Sequence, residues 1–431
     1  MLNILKYKDK EFYSQIDKVI NSRKNFDEKI SKNVSEIITN IKNNGDKSLF
    51  KYMAKFDNIQ IDKNNICYSH KEIKSATKKC QKESIDAIKL AKDRIEKFHE
   101  HQIPKEISYN DEEKIKIQTK WVPLRSAGIY IPGGTASYPS SVLMGVIPAQ
   151  IAGVKKIFAT VPCRNNEIDP LVLAALDICG IENIYKIGGA QAIAALTWGT
   201  ESVEKVDIIV GPGNKWVAEA KKQALSNTNI DMLAGPSEIL IIADKYNKPE
   251  WVAADLLSQA EHDISAQAIL ITDDEFFLEQ VNNEINKQSK MLKRKDIITK
   301  SISDNGFGIL VKKIQDSVDI TNNIAPEHLS ILCKDCIEIE QQISNAGVIF
   351  ADEWTPESMG DYILGPSHIL PTNGMARRQS GLSVYNFLRR QSTIFSNKKT
   401  IKNLGPSAIL LAECEGLDAH ANSIKLRLED L

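Results

Sequence analysis

From about Ala127 the chain alternates short apolar runs with apolar segments of helical period, and no other feature limits its fold as tightly. Residues 157–161 read as a strand, 171–178 as a helix stopped by Gly180, 184–187 as a strand, and 191–198 as a helix stopped by Gly199. Residues 206–210 and a helix from Trp216 follow. The rhythm resumes with 238–243, a helix carrying Gln259 and His262, and 268–272, with strands expected at 308–311, 329–333 and 348–350. Short strands without polar alternation, each followed by a helix, imply a parallel sheet covered on both faces. At 431 residues the chain outgrows a single core, so two α/β units are expected.

The opening hundred residues read as packing helices. Ile30, Val34, Ile37, Ile38 and Ile41 recur at helical spacing before Gly45, and Ile85, Ile88, Ala91, Ile95 and Phe98 do the same. Ile115, Ile117, Thr119 and Trp121 alternate with polar residues, the period of a half-buried strand. The 55 basic residues nearly cancel the 56 acidic ones and are dispersed, which argues against nucleic acid as a partner. With neither a leader-like N-terminus nor an apolar run of bilayer length, a cytoplasmic protein away from the membrane is expected. Seven cysteines at irregular spacing do not form a disulfide framework, and the lone pair Cys333 and Cys336 is given no role.

Glycine-bearing turns occur at Gly133-Gly134, Gly188-Gly189 and Gly211-Pro212-Gly213-Asn214. A turn that ends a strand and opens a helix gathers backbone N–H groups where a phosphate can sit. The Gly211 turn begins like a dinucleotide fingerprint, but Trp216 stands in place of the third glycine, and tight turning alone would also account for all three.

Asp255, Gln259 and His262 are spaced to share one helix face. His262 on such a face suits a metal, yet it could equally belong to a polar helix end, and Gln259 is an unusual ligand by residue type. Glu327-His328 sits at a loop-to-strand junction after Pro326, where a carboxylate and an imidazole could move protons or be a surface dipeptide. Asp361, Glu415 and His420 are further candidates. His70, His99 and His101, set among lysines and glutamates, read as solvated.

Seven motifs in order carry a resemblance that spacing does not. They are PGGTASYPSSVLM at 132–144, IGGAQAIAA at 187–195, GPGNK at 211–215, AGPSE at 234–238, LLSQAEH at 256–262, APEHL at 325–329, and EGL at 415–417 with His420. Together they closely resemble histidinol dehydrogenase over nearly the whole chain. The resemblance implies an enzyme that oxidises L-histidinol to L-histidine through the aldehyde with zinc and two NAD. It implies Gln259, His262, Asp361 and His420 as zinc ligands. Ser237, His328 and Glu415 would join these four around the substrate. Tyr130, Gln191 and Asn214 would contact NAD, and Glu327 and His328 would be the acid/base pair.

The fold so implied is two incomplete Rossmann-like parallel-sheet units with an N-terminal helical arm and a small C-terminal domain. The arm would be 1–24, a zinc and catalytic domain 25–129 with 239–382, an NAD domain 130–238, and a dimer-crossing segment 383–431. In a homodimer that segment would bring Glu415 and His420 to the neighbour's site. Ser367 and Asn386 depart from the family pattern, at positions without an implied catalytic role. The competing readings are a zinc dehydrogenase of another small polar alcohol such as a sulfonated diol, a zinc hydrolase, and a non-catalytic binding protein. The full ligand set with Glu415 argues against the first, the glycine turns with Tyr130, Gln191 and Asn214 against the second, and retention of every acid/base and ligand position against the third.

Overall fold

The computed structural model describes residues 1–21, 28–133, 138–163, 169–233 and 235–431. Two parallel sheets organise them. The first has five strands in the order Ile184–Tyr185, Lys156–Thr160, Ser126–Tyr130, Ile208–Val210, Asn229–Ile230. The chain starts at the centre, steps outward twice, returns to the centre and steps out the other way. The turning point lies between Ser126–Tyr130 and Ile208–Val210. Every residue of Ser126–Tyr130 is buried, as a strand covered on both faces requires.

The second sheet follows the same winding. Its order is Gly306–Leu310, Gln267–Thr272, Glu238–Ile242, His328–Ile331, Val348–Ala351, with Asn3–Lys6 added beside Gly306–Leu310. Successive residues of its central strands feed opposite cores: Ile239, Ile241, Ala268 and Leu270 pack on one face, Leu240, Ile242, Ile269 and Ile271 on the other. The fold is thus α/β with two parallel sheets, as the alternating sequence pattern implies, and both are wound in the Rossmann-like manner that the family resemblance implies.

The opening segment differs from a purely helical arm. Asn3–Lys6 is an edge strand, because parallel pairing with Gly306–Leu310 satisfies its backbone while Leu2 and Leu5 are buried; the helix Phe12–Asn21 follows. The arm's expected end at residue 24 lies outside the described residues. Helices Glu28–Asp57, His70–Lys79 and Lys82–Glu100 share one apolar core with the first sheet.

His99 is not solvated, contrary to the reading from its charged neighbours. It continues the Ile88, Ala91, Ile95 face, is fully buried, and its Nδ1 donates to the Ile95 carbonyl at 2.9 Å. Burial lowers its pKa. Helical period, rather than neighbouring charge, was the signal to follow.

A third, antiparallel sheet joins Ile107–Asn110, Lys116–Pro123 and Leu388–Phe395. It leads into a terminal hairpin of helices Lys398–Cys414 and Asp418–Glu429. This hairpin leaves Leu404, Leu410, Leu411, Leu417 and Leu426 exposed.

Candidate active site

Glu238 and His328 are the first residues of the two strands that flank the winding reversal of the second sheet. The cluster therefore sits at the amino ends of these strands, whereas ligands of open α/β sheets ordinarily lie at the carboxyl ends. Glu327-His328 does stand at a loop-to-strand junction, but both side chains are buried, so the surface-dipeptide alternative falls away.

His328 is held by its backbone neighbours. Its Nδ1 donates to the Glu238 carbonyl at 3.0 Å, which fixes the tautomer and leaves Nε2 as the free lone pair. Nε2 is buried without a hydrogen-bond partner among the described residues, 3.7 Å from Glu357 Oε1 and 3.8 Å from Asp361 Oδ1. Phe350 lies beside the ring, with centroids 6.2 Å apart. Burial lowers the His328 pKa, opposed by Asp361, so the ring rests neutral and able to take a proton.

Glu327 Oε2 accepts from the Glu238 backbone N–H at 2.9 Å and lies 3.6 Å from His328 Nδ1. Burial pushes its carboxyl well above the ordinary range. Asp361 and Glu357 occupy one face of the helix Glu357–Tyr362, four residues apart. Burial, with Asp361 and Asp255 adding repulsion, raises Glu357 to about 9; Ser258 Oγ donates to it at 3.4 Å. Asp255 is itself pushed up to about 6 by burial.

Among the described residues, His328, Glu357 and Asp361 offer ligand atoms all within 4.8 Å of one another. Glu357 was missed in the sequence, although its i, i+4 relation to Asp361 was the available signal. Glu238 was missed too, since its contribution is mostly made by its backbone.

A carboxyl with a higher pKa folded than unfolded stabilises the fold most at low pH, and that contribution is lost as pH climbs between the two values. For Glu357 the window runs from about 4.5 to about 9. Metal-free protein is expected to lose stability across it, and Glu357→Gln to flatten the slope, measured by thermal unfolding at successive pH values. An unchanged slope in the variant would refute this.

The helix bearing Gln259 is Pro249–Ala260, so His262 falls just past its end rather than on a continuous helical stripe. Glu261 is the C-cap, and a tight turn with His262 N–H donating to the Gln259 carbonyl at 3.2 Å replaces the next helical turn. Gln259 is fully buried, and among the described residues neither amide atom has a hydrogen-bond partner. Leaving two such atoms unpaired costs several kcal/mol, on the order of 1–3 each, unless a ligand meets them. His262 as a residue lies at the surface, yet protein packed around its ring lowers its pKa, with Asp361 pulling the other way.

His368 links the two sheets. Its Nδ1 donates to the Asp361 carbonyl at 3.0 Å and its Nε2 lies 3.4 Å from Ser141 Oγ on the helix Pro139–Ala152. Ser367 Oγ donates to the Met144 carbonyl at 3.4 Å and accepts from Ile369 N–H. Asn386 accepts from the Ser383 backbone at 2.9 Å. Both departures from the family pattern are thus taken up by local hydrogen bonds. Ser237 immediately precedes Glu238, and its carbonyl accepts from Gln267 N–H.

At the carboxyl edge of the first sheet, Tyr130 ends its strand and its hydroxyl accepts from Gly189 N–H at 3.1 Å. Gln191, in the first turn of Gly189–Trp198, donates to Asp57 Oδ2 at 3.1 Å. Asn214 caps Lys215–Ala224, with Oδ1 accepting from Trp216 and Val217 N–H. Gly134 and residues 135–137 of the first glycine motif, and Ala234 of AGPSE, lie outside the described residues.

Glu415 and His420 are exposed on the terminal hairpin. Among the described residues no hydrogen bond or ion pair ties either side chain to the His328 cluster.

The family model for histidinol dehydrogenase matches residues 20–428. A histidinol dehydrogenase of Brucella abortus (strain 2308) is 44% identical over 428 residues, 99% of this chain and 100% of its own length. Histidinol dehydrogenase 1 of Nostoc sp. is 44% identical, covering 99% of each. The crystal structure of histidinol dehydrogenase from Elizabethkingia anophelis superposes with a TM-score of 0.93 at 39% identity, covering 100% of this chain and 98% of that one. Likeness of this extent, in sequence and in fold, makes the chain a member of the histidinol dehydrogenase family.

Proposed function

We propose that this oxidoreductase carries L-histidinol to L-histidine through the aldehyde with two NAD and one zinc ion per subunit, in histidine biosynthesis. The observation that carries the reading is the paired state of His328: Nδ1 locked on the Glu238 carbonyl, Nε2 free in a buried cluster with Glu357 and Asp361. A metal fits the neighbouring donors, since both amide atoms of buried Gln259 lack partners and His262 feels the Asp361 carboxylate. Gln259, His262 and Asp361 would hold zinc from this chain.

When bound, zinc supplies a fixed positive charge that grips the substrate, and NAD accepts hydride. His328 Nε2 takes the proton of the substrate hydroxyl as the alcohol carbon is oxidised. For the second oxidation Glu327 takes a proton from the water that adds to the aldehyde; burial raises its pKa, which makes the ionised carboxylate the stronger proton acceptor. Ser237 would add a polar contact to the substrate. Tyr130, Gln191 and Asn214 would bind NAD at the carboxyl edge of the first sheet, by the winding reversal where dinucleotides characteristically sit.

His420 would be the fourth zinc ligand and Glu415 a substrate contact, both supplied by a second copy of the chain. Exposed leucines on the terminal hairpin support a homodimer. No described helix is long and apolar enough to cross a membrane, and all seven cysteines are free, which supports a cytoplasmic setting.

The test is stoichiometric. Metal-replete protein given L-histidinol and NAD should form about two NADH per histidinol consumed, as two hydride transfers require. A chelator should abolish the activity and added zinc restore it. Consumption without NADH would favour a hydrolase.

A further inference from the structure

Lys221 and Asp231 form an ion pair at 2.7 Å with side-chain exposures of only 2% and 1%. Asp231 lies 20 residues beyond Gly211. In a dinucleotide fingerprint an acid at about that distance from the glycine turn reads the ribose 2′-hydroxyl of NAD. By spacing, Asp231 is that acid.

Its contacts give it a different task. Asp231 Oδ2 accepts from Gly211 N–H at 2.7 Å, while Oδ1 accepts from Lys221 Nζ and from Met232 N–H. Lys221 Nζ also donates to the Gly211 carbonyl at 2.5 Å. Both backbone groups of Gly211 are therefore held by one buried pair. Gly211 has φ +121°, and a Cβ there would lie 2.1 Å from the Tyr130 carbonyl oxygen, so this backbone stands hard against the strand end. No side chain at position 211 could fix the turn. The pair does so, and because Lys221 lies on Lys215–Ala224, it also ties the helix capped by Asn214 back to its own leading turn.

We propose that the buried Lys221–Asp231 pair is a positioning device for the cofactor turn, and that Asp231 does not read the ribose. This rests on the reading that NAD binds at Tyr130, Gln191 and Asn214. A charge pair committed on both sides to protein groups has no remaining reason to discriminate at the 2′ position. Its effect falls on NAD and NADP alike, through the set of the turn.

The test uses zinc-replete enzyme titrated with NAD and with NADP. Asp231→Asn and Lys221→Met should raise KM for NAD by roughly tenfold, and up to a hundredfold if the turn shifts by an ångström. The ratio of kcat/KM for NAD to that for NADP should stay constant, as should zinc content and KM for histidinol. Lys221→Arg, which can still meet both Asp231 and the Gly211 carbonyl, should restore part of the loss. If Lys221→Met does not fold, Lys221→Met with Asp231→Leu removes the pair without leaving a lone buried charge. A tenfold swing toward NADP in Asp231→Asn would make Asp231 the ribose reader and overturn the proposal. So would an unchanged KM for NAD, provided Asn214→Ala raises it. If Asn214→Ala leaves NAD binding unchanged, the cofactor reading itself fails.

Discussion

Replacing His328 with asparagine is expected to lower kcat by roughly 10²–10⁴-fold, the usual contribution of a positioned acid/base group. Zinc content should be unchanged. Asparagine can still donate to the Glu238 carbonyl, as His328 Nδ1 does at 3.0 Å, so the loop and strand start stay in place. It cannot take a proton, and the free lone pair at Nε2 goes with the ring. Glu327→Gln should also lose turnover with metal retained, because its amide oxygen can still accept from Glu238 N–H. Metal analysis beside steady-state kinetics decides the matter: loss of zinc in both variants would reassign the pair to the metal cage.

Mixing two inactive variants tests whether the site is shared. His328→Asn disables the body of a subunit, and His420→Ala disables the terminal hairpin, where His420 is exposed and apart from the cluster in its own chain. In a homodimer with sites completed across the two-fold axis, each mixed dimer holds one site carrying both lesions and one carrying neither. Unfolded and refolded together, or co-expressed, the two variants should recover about a quarter of wild-type activity, since half the dimers are mixed and half their sites are intact. If each chain completed its own site, every site would carry one lesion and no activity would return. The outcome bears on the hairpin leucines as well, because a second copy would cover them.

Much of the architecture was legible because local pattern and tertiary need coincide in it. Runs such as 268–271 are apolar at every position because both sheet faces are covered, and they could be read as buried parallel strands from the residues alone. The edge strand Asn3–Lys6 could not. Its strand state comes from pairing with Gly306–Leu310, some three hundred residues away, and four residues carry too little period to announce it.

Site residues divide along the same line. Motifs supplied Gln259, His262, Glu327 and His328, the family resemblance added Asp361, and Glu357 stood four residues from Asp361 for anyone counting helix faces. What Gln259 and Glu357 do depends on burial. An amide with two unpaired buried atoms and a carboxyl raised to about 9 exist only where water has been removed, and removal of water is decided by how the helices Pro249–Ala260 and Glu357–Tyr362 pack against the strand starts.

Asp231 makes the contrast sharpest. Its distance from Gly211 is a property of the sequence and points to a ribose; the Lys221 ammonium and the Gly211 backbone that occupy it belong to the folded chain. The sequence by itself determined the parallel α/β class and the identity of the motifs, because hydrophobic period and residue order are local and linear. Only the tertiary structure decided which polar groups are buried, which partners satisfy them and which remain free for a ligand, because hydrogen-bond satisfaction and desolvation are set by neighbours that the linear order does not name.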